Sequence, residues 1–255
     1  MIPISDDNSD RHLTPVVNYI FIALNILVFV FLQGMGTNLH FTYSFAAVPA
    51  EILSGSDITT HGQIVVDQYT GEQFEIPGLQ VTPIPVYFTL ITSMFMHGGW
   101  AHLIGNMLYL WVFGDNIENR IGHTKYFIFY MLCGIFASLS HVLSSLLMPN
   151  TSLIPSLGAS GAISGILGAY IILFPNRRVN MLLGWWIVAV PAVLALGIWI
   201  IFQVVSGIGM LGGSDDGVAY AAHIGGFITG IIFIKIFDRG NNKPYGETRK
   251  FIYRR

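Results

Sequence analysis

"SLGASGAISGILGAY", residues 156–170, is apolar enough to lie in lipid, yet glycine, alanine and serine fill most of it where leucine would be expected. Ser160, Ser164 and Gly168 recur at every fourth residue, and Gly161, Gly165 and Ala169 repeat the interval one position on. On a helix, residues so spaced stack along one face. Small side chains at this spacing let two helix backbones approach closely in a bilayer, so the pattern predicts a helix pressed against a partner. A matching face occurs in "AAHIGGFITG", residues 221–230, where Ala222, Gly226 and Gly230 keep the same interval. The two segments are expected to touch.

The rest of the chain points to a membrane. Of its 255 residues, 53% are hydrophobic and 10% charged, and the mean hydropathy of +0.62 is too high for an ordinary soluble domain. Hydrocarbon takes about 20 apolar residues per helix. The candidate spans are 16–34, 100–114, 126–148, 159–174, 181–204 and 218–237. The fold class predicted is all-α, a polytopic membrane helical bundle of six transmembrane helices forming one domain over 1–255. Pro191 falls inside the fifth candidate and predicts a kink there. No basic region or small-residue cleavage site accompanies the first candidate, which reads as a retained span and not as a secretory signal.

Cations set the orientation, because Lys and Arg beside the spans stay on the cytoplasmic side. Arg11 precedes the first candidate, Arg120 and Lys125 lie between the second and third, and Arg177 and Arg178 between the fourth and fifth. The other seven begin at Lys235 and end with the chain. Segments 35–99, 149–158 and 205–217 have none. Residues 1–15 and the basic tail 238–255 are therefore expected in the cytoplasm, and 35–99 becomes a long extracytoplasmic first loop. Within it, "GQIVVDQYTGEQFEI" (62–76) predicts a hairpin turning at Thr70 and Gly71. "VYFTLITSMF" (86–95) is too short to cross and is expected to dip into the interface. The lone cysteine, Cys133, excludes a disulfide framework and a thiolate zinc site. No cofactor, metal or nucleic-acid partner is expected.

An ionisable side chain at membrane depth points to function, and His223 is one. Ser160 precedes Pro175 by 15 residues and His223 precedes Arg239 by 16. At 1.5 Å per residue these intervals put the two about 22 and about 24 Å above the inner boundary, at one level below the outer face. A hydroxyl and an imidazole so placed on touching helices can serve as nucleophile and general base. Packing alone also accounts for the small-residue stripe. "MHGGWAHLIGNMLYLWVFG" (96–114) adds His102 and Asn106 on one helix face, with His97 ahead of them. Either these residues line a polar pocket and donate to a developing oxyanion, or Asn106 bridges helices and His97 is interfacial. A metal site is disfavoured, since no carboxylate or thiolate lies at that depth. "GASGA" is not the strand-to-helix elbow of soluble hydrolases, because Ala162 stands where a glycine is needed. His141 reads as a bond to a neighbouring helix.

With those residues in view, the chain resembles the rhomboid intramembrane serine proteases of the basic six-span bacterial type. The resemblance runs from His97 to Gly230. It rests on G-x-S-G at Gly158–Gly161, H-x4-H-x3-N at His97, His102 and Asn106, and A-H-x-x-G-x3-G at Ala222, His223, Gly226 and Gly230. "VFGDNIENRIG" (112–122) matches the segment after the second span, with Glu118 and Arg120 in structural positions. The resemblance implies Ser160 as nucleophile, His223 as base, and His102, Asn106 and the Ser160 backbone as the oxyanion site. His97 would sit at the pocket mouth or retain water, and Gly161, Gly165, Gly226 and Gly230 would pack the helices. It implies single-span or other membrane-protein substrates entering laterally from the bilayer, and a bacterial inner membrane with both termini cytoplasmic. Two features depart from relatives: the position four after the nucleophile, aromatic in some, is Ser164, and 35–99 has no Trp-Arg pair. Residues 206–217 read either as a lid or as a plain connector, and Trp199 and Phe202 as a gate. The rival classes are a rhomboid-like protein that binds membrane clients without cutting them, and a small-solute transporter.

Overall fold

The structure is a computed structural model that describes residues 2–66, 73–148, 151–211 and 218–239. Strand β1 (Ile2–Asp6) leads to helix α1 (Val16–Leu27), which continues as a wider π turn over Val28–Leu32. Short helices α2 (Leu39–Phe45) and α3 (Pro49–Ser54) follow. An antiparallel pair comes next, β2 (Gln63–Val66) with β3 (Gln73–Ile76). The expected hairpin is thus present in its strands, and the turn at Thr70 and Gly71 lies outside the described residues. Helix α4 (Thr89–Thr92) sits in an irregular helical stretch, followed by α5 (Trp100–Tyr109), a π turn over Leu110–Gly114 and α6 (Asp115–Ile121). Helices α7 (His123–Ser144) and α8 (Ser160–Leu173) come before strands β4 (Arg178–Leu183) and β5 (Trp186–Pro191). Helices α9 (Ala192–Leu211) and α10 (Tyr220–Phe237) complete the described chain.

The protein is mostly helical. Among the described residues, three helical stretches are long and apolar enough to cross a membrane: His123–Ser144, Ala192–Gly209 and Tyr220–Phe237. Val16–Leu32, Val86–Phe95 and Ser160–Leu173 are shorter apolar helices.

Helix α8 occupies the centre, with every side from Gly161 to Tyr170 buried. Its composition follows from that position, since backbones on two sides come within contact distance. Facing α10, a Cβ at Gly226 would lie 2.1 Å from the Gly161 carbonyl oxygen, and one at Gly230 would lie 1.9 Å from that of Gly165. Facing α7, a Cβ at Gly161 would come within 2.7 Å of the Ala137 Cβ, and one at Gly165 within 2.4 Å of the Cys133 Cβ. Larger side chains fill the rest of the core, among them Phe113, Tyr126, Tyr130 and Tyr170.

Polar side chains fix the helix ends. The Glu118 carboxylate accepts from the backbone N–H groups of Val17 (2.9 Å) and Asn18 (2.7 Å), satisfying donors that the start of α1 leaves free. Asn18 donates to the Leu110 carbonyl at the π turn and accepts from the Tyr126 hydroxyl. Arg120 grips Asp238 with two nitrogens, at 2.7 and 3.0 Å, tying α6 to the end of α10.

Two expectations need correction. The chain is not all-α: besides β2 and β3 it has an antiparallel sheet of order β1-β4-β5. The fifth candidate span does not begin at residue 181, because Arg178–Pro191 folds as a hairpin and the helix starts at Ala192. Pro191 therefore kinks nothing; it ends β5 immediately before α9. The run "MLLGWWIVAVP" is apolar throughout, and periodicity cannot separate strand from helix in so short a stretch. Gly184, at φ +59°, supplies the left-handed turn that decides it.

Candidate active site

Ser160 is the first residue of α8, and the approach to it is held by long-range bonds. Ala47 and Ser156 exchange two backbone hydrogen bonds, and the Gly158 N–H donates to the Ser93 carbonyl at 2.9 Å. Gly158 adopts φ +128°, and a Cβ there would lie 2.9 Å from the His102 ring. Only glycine fits both demands. As the chain turns into α8, the first amides of the helix have no intrahelical partner and a partial positive charge gathers at this end.

His223 sits in the first turn of α10, one residue beyond Ala222, whose backbone oxygen and Cβ lie beside Gly161. The close glycine contact between α8 and α10 brings the two side chains together, with His223 Nε2 2.8 Å from Ser160 Oγ. That is hydrogen-bond distance. The two candidate residues, 63 positions apart in sequence, thus meet.

His102 and Asn106 project from one face of α5 toward the same cavity. The Gly98 N–H donates to His102 Nδ1 at 3.4 Å, which leaves Nε2 to carry that ring's proton, near Gly158. Asn106 directs its amide nitrogen to His97 Nε2 at 2.9 Å. His97 itself lies fully buried, with its N–H donating to Gln33 Oε1 and its carbonyl accepting from Gln33 Nε2. It stands behind Asn106 and does not line a pocket mouth, because Gln33 on the turn after α1 holds its backbone inward. The His97 and His102 rings meet edge to face at 5.0 Å.

A cavity of about 470 Å³ opens over these groups, lined by Ser160, His223, His102 and Asn106 together with His141, Ser156 and Val218. His141, read from sequence as a helix bridge, contributes to this wall. Ser164 turns away from His223 and donates to the Ser160 carbonyl at 2.6 Å. Support for the imidazole comes instead from α9. Gln203 Oε1 lies 2.7 Å from His223 Nδ1, and the Trp199 ring lies 6.0 Å from it, centroid to centroid. Sequence reading passed over Gln203, although a signal was present: it is the single polar residue in "AVLALGIWIIFQVV" and follows Trp199 by four, on the same helix face. Of the proposed lid, 206–211 forms the end of α9 and 212–217 lies outside the described residues.

At the far end of α8 a second cavity, about 500 Å³, is lined by Asp7, Ser9, Asp10 and 172–178. Beside it, Asp6 accepts from the Tyr170 hydroxyl and from Asn116, and Arg177 pairs with Asp10 at 2.5 Å. Burial pushes the Asp6 carboxyl up to about 6, against the opposing pull of Tyr170, Arg177 and Arg11. This cluster clamps β1 to the base of α8 and α6. Among the described residues no group of three or more His, Cys, Asp or Glu side chains is arranged to hold a metal ion.

Apolar helices of spanning length, packed through glycine and enclosing a polar cavity, define a helical membrane protein. The family model described as Rhomboid domain matches residues 85–239, which include every residue named as lining the cavity over Ser160 and His223. The chain belongs to the rhomboid family. It is 33% identical over 160 residues to "Rhomboid protein 1, mitochondrial" of Saccharomyces cerevisiae, covering 61% of this chain and 43% of that protein. Against "Rhomboid protease GluP" of Bacillus subtilis the identity is 28% over 214 residues, covering 83% of this chain and 35% of the relative. "RHOMBOID-like protein 4" of Arabidopsis thaliana is 32% identical over 143 residues, covering 56% and 32%. The matched stretch therefore spans about a third to two fifths of the length of these relatives.

Proposed function

We propose that this chain is an intramembrane serine endopeptidase that cuts transmembrane segments near the outer face. The observation that carries the reading is the 2.8 Å approach of Ser160 Oγ to His223 Nε2 on the wall of a polar cavity. Ser160 Oγ attacks the carbonyl carbon of the scissile peptide bond while His223 Nε2 takes the hydroxyl proton. The oxyanion that forms accepts from the His102 Nε2–H, the Asn106 amide and the backbone N–H of Ser160. In serine hydrolases a single such donor is worth roughly 3 to 4 kcal/mol. His223 then returns its proton to the leaving amine as the C–N bond breaks. Water, activated by the same nitrogen, releases the acyl group from Ser160.

The substrate reading follows from the site's surroundings. A packed substrate helix hides its carbonyls in its own hydrogen bonds, so Gly or Pro near the cut lowers the cost of exposing one. Single-span or other membrane proteins entering laterally are the substrate class. The Trp199 and Phe202 side of α9 is the gate we infer, and Phe202 is 61% exposed on the outside of the bundle. We further infer one six-span domain with both termini cytoplasmic and 35–99 outside, in a bacterial cytoplasmic membrane. The cation distribution supports this orientation.

The test is cleavage of a single-span reporter by purified wild type and Ser160→Ala in detergent. The wild type is expected to cut and the variant to leave the reporter intact. Equal product from both would remove Ser160 as nucleophile. No product from either would favour a member that binds membrane clients without cutting them.

A further inference from the structure

Gln203, on α9, meets the one imidazole whose state governs the reaction. Its Oε1 lies 2.7 Å from His223 Nδ1, while His223 Nε2 lies 2.8 Å from Ser160 Oγ. A neutral imidazole carries one proton, on one of two nitrogens. With the proton on Nε2, the ring cannot accept from the serine and the general-base step is lost. With it on Nδ1, the Nε2 lone pair faces the hydroxyl. An amide oxygen at Nδ1 rewards only the second arrangement, because an oxygen accepts and does not donate. The contact also bears on the charged intermediate: once Nε2 has taken the proton, the imidazolium holds a donor at Nδ1 that would otherwise be stranded.

Neighbouring groups leave this task to Gln203. Ser164 is occupied with the Ser160 carbonyl. Trp199 and Tyr220 present ring faces and edges to His223, at 6.0 and 6.5 Å between centroids, and fix its plane without choosing a tautomer. We propose that Gln203 is a positioning residue for catalysis, holding His223 as the Nδ1–H tautomer and stabilising its imidazolium, so that the working unit is Ser160, His223 and Gln203. This rests on the protease reading above. It also makes the site depend on α9 staying against α10, a contact that Trp199 shares with Phe227 and Gly207 with Tyr220.

Two replacements separate positioning from packing. Gln203→Met keeps length and removes the acceptor; Gln203→Glu keeps an acceptor and adds charge. The measurement is kcat and KM for the single-span reporter from acid to alkaline pH, with Ser160→Ala in parallel and thermal unfolding recorded for each protein. Gln203→Met is expected to lower kcat about 10- to 100-fold, the scale of one unsatisfied buried donor, with KM unchanged. Gln203→Glu is expected to retain activity at neutral pH and to move the acidic limb of the profile upward by about one unit or more, because a carboxylate beside the ring favours its protonated form. If Gln203 only packs α9 against α10, Gln203→Met keeps wild-type kcat and Gln203→Glu leaves the acidic limb where it was, and either result overturns the proposal. Should Gln203→Met fail to fold, the Gln203→Glu limb decides. Histidine-selective ¹⁵N labelling reads the His223 tautomer without turnover, the His223→Ala spectrum assigning the signal. A proton found on Nε2 in the wild type would overturn the proposal even if cleavage by Ser160→Ala had already removed the protease reading.

Discussion

Replacing Gly226 by alanine tests how closely the proposed chemistry depends on helix packing. A Cβ at this position would lie 2.1 Å from the Gly161 oxygen and 3.1 Å from its carbonyl carbon. Carbon and carbonyl oxygen approach to about 3.3 Å in folded proteins, so α8 and α10 must part there by about 1.2 Å. The obstacle is backbone on the buried side of a central helix, which no rotamer change relieves. Ser160 adjoins Gly161 and His223 stands three residues before Gly226, so the shift falls on the pair itself. Added to the 2.8 Å between Ser160 Oγ and His223 Nε2, it leaves about 4 Å, beyond hydrogen-bond reach. A displacement of about 1 Å in a reacting pair costs on the order of 100-fold in rate. Overpacking of this kind costs about 1 to 3 kcal/mol in stability, and at about 2 to 4 °C per kcal/mol the loss is visible in thermal unfolding. Reporter cleavage and Tm in detergent are the assays. Gly197→Ala on α9 is the control, since nothing lies within 4 Å of its added Cβ; it is expected to leave activity intact and raise Tm slightly. Wild-type activity in Gly226→Ala would refute the link between the glycine contact and the site.

Glu118→Ala strips the acceptors from the first amides of α1 and is expected to cost about 1 to 3 kcal/mol, read as a lower Tm, with a partial loss of activity that follows folding and not chemistry. Asp6→Asn tests the clamp at the other end of α8. The folded carboxyl titrates at about 6 against an ordinary value of 3.8, so the folded state keeps a proton that the unfolded chain has released. Its contribution to stability is complete below the ordinary value and declines as pH rises toward 6. Asparagine does not ionise, so the Tm of the variant relative to wild type should climb between pH 4 and about 7 and then level off. A difference that does not change with pH would contradict this account of the clamp.

Some of this architecture is legible in the sequence and some is not, for identifiable reasons. The four-residue spacing of Gly161 and Gly165 against Gly226 and Gly230 reads directly as a close helix pair, because only lipid-embedded backbones in contact demand it. The meeting of Ser160 with His223 is anticipated by equal residue counts, 15 from Ser160 to Pro175 and 16 from His223 to Arg239. Gln203 escaped because a carboxamide in an apolar helix has no fixed partner until the fold is known. The hairpin Arg178–Pro191 escaped because its second strand, Trp186–Pro191, and the residues leading into it from Met181 are apolar. With Trp185 at 97% and Trp186 at 78% exposure around the turn, β5 carries none of the polar alternation that marks a half-buried strand, and in β4 the alternation is confined to Arg178–Met181. Nothing in residues 1–15 marks a strand, yet Ile2–Asp6 adds to β4 and anchors Asp6 under Tyr170. Long-range pairing of that kind leaves no local trace.

In the proposed reaction Ser160 is a nucleophile made reactive by His223. A fluorophosphonate reacts with such a hydroxyl and forms a covalent adduct, which mass spectrometry of the digested protein assigns to a residue. One adduct is expected, on Ser160, abolished in His223→Ala. An adduct on a different serine, or an unmodified Ser160 in a preparation that still cuts the reporter, would contradict it.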